Sequence, residues 1–167
     1  MSGKLKAALG VIVVIAALGT YFIVAQKSVA PAVALTTYQG QKIDLTSLQG
    51  KVVLVNFWAT DCPTCIKEMP ALIETHNRYA GQGYETVAVA MSYDKPGFVS
   101  AYALKNALPF KVAHDADGTA AKAFGDIRLT PTSFLIDKHG NIVKRYLGEP
   151  DFSQLHTEIE ALLKEPV

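Results

Sequence analysis

The run Lys51–Trp58, KVVLVNFW, leaves few folds open once it is read with the residues that follow it. It is dense in β-branched and aromatic side chains and broken only by Asn56, the pattern of a strand buried on both faces of a sheet. Immediately after it comes Cys62-Pro63-Thr64-Cys65, which holds the only two cysteines of the chain. Helical spacing then runs from Thr64 to Tyr79, with Cys65, Met69, Leu72 and His76 on one stripe and Gly81 past its end. A buried strand, a turn and a helix opened by C-x-x-C therefore put a dithiol at the edge of a central sheet.

The remaining pattern fits around that unit. Residues 35–49 carry two Gly-bounded segments and predict a short hairpin or cap ahead of the main sheet. Thr86–Ser92 reads as a second buried strand, Lys95–Ala107 as a helix, and Pro109–Ala113 as a short strand. Asp117 is placed to cap a helix reaching Phe124, stopped by Gly125. Thr132–Ile136 and Ile142–Tyr146 predict a hairpin, and Asp151 an N-cap for a final helix to about Leu163. Strands alternating with helices, closed by a hairpin and a helix, indicate an α/β fold with a mixed sheet and helices on both faces.

The C-x-x-C spacing at that junction suits disulfide exchange. Backbone N–H groups and the positive end of the helix dipole point at the first sulfur and lower its thiol pKa. Cys62 can then attack a disulfide, and Cys65, one turn on, can resolve the mixed disulfide. Pro63 suits the first helical turn, where its missing N–H costs nothing. Two cysteines are too few for a structural disulfide framework, and the four histidines (76, 114, 139 and 156) are too scattered to complete a zinc site. The histidines are read as surface or capping residues.

A second feature governs location. No charged residue occurs from Ala7 to Gln26, and twenty helical residues span roughly 30 Å, the thickness of a bilayer core. A buried core helix, a signal peptide cleaved at Ala32-Val33-Ala34 and an uncleaved transmembrane anchor compete here; the length favours the anchor. The expected organisation is an anchor over 1–27, a linker over 28–34 and one domain over 35–167. Lys4 and Lys6 precede the apolar run and Lys27 alone follows closely, so the positive-inside rule sends the domain out of the cytoplasm. Without those three lysines the formal net charge is −2, with signs interspersed, which argues against a nucleic-acid partner.

Val52-Val53-Leu54-Val55-Asn56-Phe57-Trp58-Ala59-Thr60, then Cys62-Pro63, Cys65 and Glu68-Met69-Pro70, resemble the TlpA/ResA-like branch of the thioredoxin superfamily. Gly50-Lys51, Thr130-Pro131-Thr132-Ser133-Phe134-Leu135-Ile136-Asp137 and Gly140 extend the likeness over about residues 35–165. It implies a thioredoxin-like fold with an N-terminal hairpin and one inserted βα unit, for which the 66 positions from Cys65 to Pro131 leave room. It further implies a membrane-anchored or periplasmic thiol:disulfide oxidoreductase. Such a protein reduces disulfides of envelope proteins in cytochrome c maturation or copper-site assembly, with electrons from a membrane thiol carrier. No cofactor is expected beyond the redox-active Cys62–Cys65 pair itself.

By the same resemblance Cys62 is the nucleophile and Cys65 the resolving thiol. Pro131 is a cis-proline facing the motif, and Thr130 presents its backbone to substrate, with Trp58, Pro63 and Thr64 completing the binding surface. Glu68, one helical turn after Cys65, is expected to lose hydration, to titrate above the usual carboxylate range and to exchange protons with Cys65. Pro70 is expected to kink the helix. Three departures stand out: Asp61 replaces the usual tryptophan before the first cysteine, Pro63-Thr64 is not the common intervening pair, and Asn56 stands where thioredoxin proper has a buried acid. Because exchange runs in either direction, a disulfide-introducing oxidant remains open, as does a copper-binding metallochaperone using both thiolates.

Overall fold

The computed structural model describes residues 28–167, so the expected anchor over 1–27 lies outside the described residues. Among the described residues no helix is long and apolar enough to cross a membrane. The strands are β1 (Ser28–Val29), β2 (Ala34–Thr37), β3 (Lys42–Asp44), β4 (Val52–Trp58), β5 (Tyr84–Ala90), β6 (Lys111–His114), β7 (Thr132–Ile136) and β8 (Asn141–Leu147). The helices are α1 (Pro63–Tyr79), α2 (Pro96–Lys105), α3 (Thr119–Ala123) and α4 (Phe152–Lys164). All eight strands join one sheet in the order β1-β8-β7-β4-β5-β6-β2-β3. β4, β5 and β6 run parallel, and β7 and β2 are antiparallel to their neighbours β4 and β6.

Every residue of β4 is buried, as its composition requires. Val52, Leu54 and Trp58 point into a core shared with α1, α2 and α4, while Val53, Val55 and Phe57 point into a second core beneath α3 and the N-terminal segment. In the second core Phe57, Phe124 and Phe134 meet with ring centroids 4.9–6.1 Å apart. Burying each such side chain is worth about 1.5–3 kcal/mol, so this sheet centre is stiff ground for a site at the end of β4. The segment between Cys65 and Pro131 holds β5, α2, β6 and α3, which accommodates the extra βα unit.

Three expectations are corrected. The stretch 28–34 is more than a linker: Ser28 and Val29 pair with β8, Ala30 N–H donates to Gly140 O at 2.8 Å, and Val33 is buried. Its small residues and Pro31 hid an edge strand that only a distant partner completes. Helix α3 starts later than expected and is capped from further back. Gly118 takes the N-cap position, and the buried Asp115 carboxylate accepts from the N–H groups of Ala120 and Ala121 at 2.9 and 2.8 Å. His76 is a core residue, its ring packed against Tyr84 and Phe110, and burial pushes its pKa down. Pro70 lies within α1, which runs on to Tyr79, and its side chain is exposed.

Candidate active site

The chain leaves β4 at Trp58 and makes a short turn whose geometry is fixed from outside. Thr60 gives its backbone N–H and its hydroxyl to the Asp94 carboxylate, at 2.6 and 2.8 Å. Asp94 is buried in the loop after β5, and its carbonyl meets His114 Nε2 at 2.9 Å. The loops after β4 and β5 and the last residue of β6, all at the carboxyl ends of parallel strands, are thus clasped together. Cys62 then occupies the N-cap of α1 in extended conformation, with Pro63 in the first turn.

Cys62 and Cys65 are joined in a disulfide, their Cα atoms 5.3 Å apart. The two sulfurs differ in surroundings. Cys62 is half-buried at the surface, and its Sγ accepts from Cys65 N–H at 3.2 Å, the helix N-terminal contact that favours a thiolate there. Cys65 has no exposed surface. Across from Cys62, the Thr130–Pro131 peptide is cis, and the Thr130 carbonyl oxygen lies 3.5 Å from Cys62 Sγ. Pro63 and Thr64 are exposed beside the sulfur, whereas Pro131 is buried and Thr130 half-buried.

Trp58 is misplaced as a substrate-binding residue. It has no exposed surface, and its ring rests on Tyr102 of α2 with centroids 5.3 Å apart, so it supports the motif from below. Two exposed side chains take the rim position that it lacks. Tyr93 places its hydroxyl 3.4 Å from Thr130 Oγ1, and Leu129 immediately precedes Thr130. Both are large side chains left in solvent, at 58 % and 63 % exposure. Neither has a local sequence signal, and the contact of Tyr93 with Thr130 joins positions 37 apart.

Glu68 lies where helical spacing put it, but it is more deeply buried than a partly desolvated group, at 1 % exposure. Asn56 Nδ2 donates both of its hydrogens, to Glu68 Oε1 at 2.8 Å and to Ser133 Oγ at 2.9 Å. Burial pushes the Glu68 pKa up to about 7; the Asn56 hydrogen bond opposes the rise, and the Glu149 carboxylate adds to it. Neither Glu68 Oε2 nor Asn56 Oδ1 has a hydrogen-bond partner among the described residues. A carboxyl poised near neutrality thus sits one helical turn below Cys65. An apolar cavity of about 260 Å³, lined in part by Val29, Leu45, Val53 and Ile136, lies at the other end of β4 and plays no part here.

Residues 24–159 match the Redoxin family. The chain belongs to the Redoxin family. Its Redoxin relatives include the thiol-disulfide oxidoreductase ResA of Bacillus thuringiensis subsp. konkukian, 38% identical over 136 residues, which are 80% of this chain and 76% of the relative. Among solved structures, a protein described as a thioredoxin from Neisseria meningitidis superposes with a TM-score of 0.77 at 41% identity, covering 84% of this chain and 93% of that one. A protein described as the thiol:disulfide interchange protein DsbE from Chlorobium tepidum gives 0.76 at 30% identity, covering 83% and 97%. The fold is therefore thioredoxin-like, and this Redoxin-family chain is a ResA-like thiol-disulfide oxidoreductase carrying its C-x-x-C pair at the head of α1.

Proposed function

We propose that this oxidoreductase works outside the cytoplasm as a reductase of envelope-protein disulfides, held to the inner membrane by residues 1–27. In this reading it serves cytochrome c maturation or copper-site assembly, draws its electrons from a membrane thiol carrier, and needs no redox group besides its own cysteines. The observation that carries the catalytic part is the contrast between the two sulfurs: one at the surface against the Thr130 carbonyl, the other sealed above a buried carboxyl.

In the reduced protein the Cys62 thiolate, stabilised by Cys65 N–H and the α1 dipole, attacks one sulfur of the partner's disulfide. That S–S bond breaks, and the partner's released thiolate takes a proton from water. Thr130 offers its backbone to the partner chain, with Tyr93, Leu129, Pro63 and Thr64 around it. Cys65 then passes its proton to ionised Glu68 and attacks Cys62 Sγ, which expels the partner's second thiolate. The partner has gained two electrons, and the chain ends in the disulfide form described above.

Measuring the reduction potential of the Cys62–Cys65 couple, together with fractionation of intact cells, tests both halves. A potential near the thioredoxin value of about −270 mV supports reduction, and one near about −120 mV reverses the direction to disulfide introduction. Recovery of a mature protein beginning near Leu35 in a soluble envelope fraction would sink the anchor.

A further inference from the structure

Asn56 on β4 and Ser133 on β7 stand opposite each other in the antiparallel register, so their side chains share one face of the sheet. Glu68 reaches them from α1, one helical turn beyond Cys65, and none of the four has more than a trace of exposed surface. Asn56 Nδ2 gives one hydrogen to Glu68 Oε1 at 2.8 Å and the other to Ser133 Oγ at 2.9 Å. The amide is therefore pinned from two sides with its donor end on the carboxyl. Reversed, it would set Oδ1 against Oε1, acceptor on acceptor.

Two acceptors in this dry space are left over. Glu68 Oε2 and Asn56 Oδ1 are both buried and have no hydrogen-bond partner among the described residues. A buried acceptor without a donor is costly and calls for an explanation. The oxidation state supplies one, since Cys65 is bonded to Cys62 and has no S–H to give. The reduced protein has that proton one helical turn from Glu68, and of the two carboxyl oxygens only Oε2 is open to it. The sheet faces Glu68 with the neutral Asn56 and Ser133, and the Glu149 carboxylate in the turn before α4 opposes its ionisation. The Asn56 N–H is thus the contact that favours the ionised carboxyl.

We propose that Asn56 is the positioning residue for the resolving step: its N–H on Oε1 keeps Glu68 able to ionise in a dry site, and leaves Oε2 as the atom that takes the Cys65 proton. The proton passes from Cys65 Sγ to Oε2, and that sulfur then attacks Cys62 Sγ and expels the partner's thiolate, so no further reactant is needed. Ser133 acts behind Asn56 by keeping the amide turned this way. The kinetic half rests on the proton role proposed for Glu68, but the hold on its ionisation does not.

Asn56→Leu removes the donor and keeps the site apolar and similar in size. A carboxyl ¹³C titration of the oxidised full-length variant, where no thiol titrates, should place the Glu68 midpoint about one to two pH units above that of the wild type. Stopped-flow mixing of excess reduced protein with 5,5′-dithiobis(2-nitrobenzoate) separates the steps, because the first thiol released reports attack by Cys62 and the second attack by Cys65. The second release should slow about five- to fiftyfold at pH 7, more than the first, and recover toward pH 9 as Glu68 ionises. Asn56→Asp exchanges the donor for a second acid and answers the question if Asn56→Leu does not fold. Its carboxyl pair should titrate in two steps, the upper one above the wild-type midpoint. A Glu68 midpoint that stays put or falls in Asn56→Leu, an upper step in Asn56→Asp no higher than the wild-type midpoint, or a rate loss equal at pH 7 and pH 9 overturns the proposal. A raised midpoint with a wild-type second release upholds the hold on ionisation and sinks the proton role of Glu68.

Discussion

Replacing Glu68 with glutamine should remove a pH dependence from folding stability that the wild-type protein carries. In the unfolded chain this carboxyl releases its proton near the ordinary 4.5, and in the folded protein at about 7. Between those values the folded state binds the proton more tightly, so protonated Glu68 contributes stability that is fully present below pH 4.5. That contribution is lost as the pH rises through 7. The displacement corresponds to about 3 kcal/mol at 1.36 kcal/mol per pH unit.

Glutamine keeps the length of the side chain and can still accept from Asn56 Nδ2, but it cannot ionise. Its own NH₂ lacks an evident acceptor, which costs about 1–3 kcal/mol at every pH and does not bend the curve. The readable quantity is therefore the change in the variant-minus-wild-type difference, not its absolute value. Urea unfolding of the oxidised protein followed by circular dichroism at steps from pH 4.5 to pH 8 measures it, and His76 and the other titrating groups cancel in the difference. The variant should gain on the wild type by about 3 kcal/mol across that interval. Parallel stability curves would refute the reasoning, because they would mean that Glu68 ionises in the folded protein as easily as in water.

Cys65→Ser should accumulate mixed disulfides through Cys62, seen as bands that a reductant dissolves on non-reducing gels, while Cys62→Ser accumulates none; faster alkylation of Cys65 than of Cys62 near neutral pH would reverse the assignment. Tyr93→Ala and Leu129→Ser should raise KM for protein disulfides severalfold with little effect on a small aromatic disulfide. Equal losses on both substrates would show that these side chains hold the loop and do not touch the partner. Asp115→Ala should destabilise the fold by about 2 kcal/mol in urea, since two α3 N–H groups lose a shared carboxylate. Its C-x-x-C exchange rate should be unchanged.

The parts of the site that were legible in the sequence are those carried by one element or one local signal. β4 announces itself by composition, α1 by the spacing of Cys65, Glu68, Met69 and Leu72, and the Thr130-Pro131 turn by its place ahead of an apolar strand. The illegible parts are contacts between elements far apart in the chain. Thr60 and Asp94 are 34 positions apart, Tyr93 and Thr130 are 37, and Lys67 and Glu149 are 82. Each lies in a turn or on an exposed helix face where composition is permissive, so no periodicity singles it out. Trp58 was misjudged for another reason: the buried-strand pattern of Lys51–Trp58 already placed it in the core, and the family resemblance drew it to the substrate surface, whereas its ring packs on Tyr102 of α2. His76 fell the same way, since its place on the apolar stripe of α1 argued for the core more strongly than its residue type argued for the surface.

The position of Asn56 brings these strands of argument together. On β4 it shares the sheet face of Leu54 and Trp58, the face covered by α1, so an acid there would lie in the same dry space that Glu68 enters from the helix. Two carboxyls in that space would repel, and one would have to stay protonated throughout. An amide avoids the conflict and donates where a carboxylate could only accept, which leaves Glu68 with one strong partner and a proton affinity set mainly by burial. Moving the carboxyl from strand to helix also puts it one helical turn from Cys65, the thiol whose proton it is proposed to take.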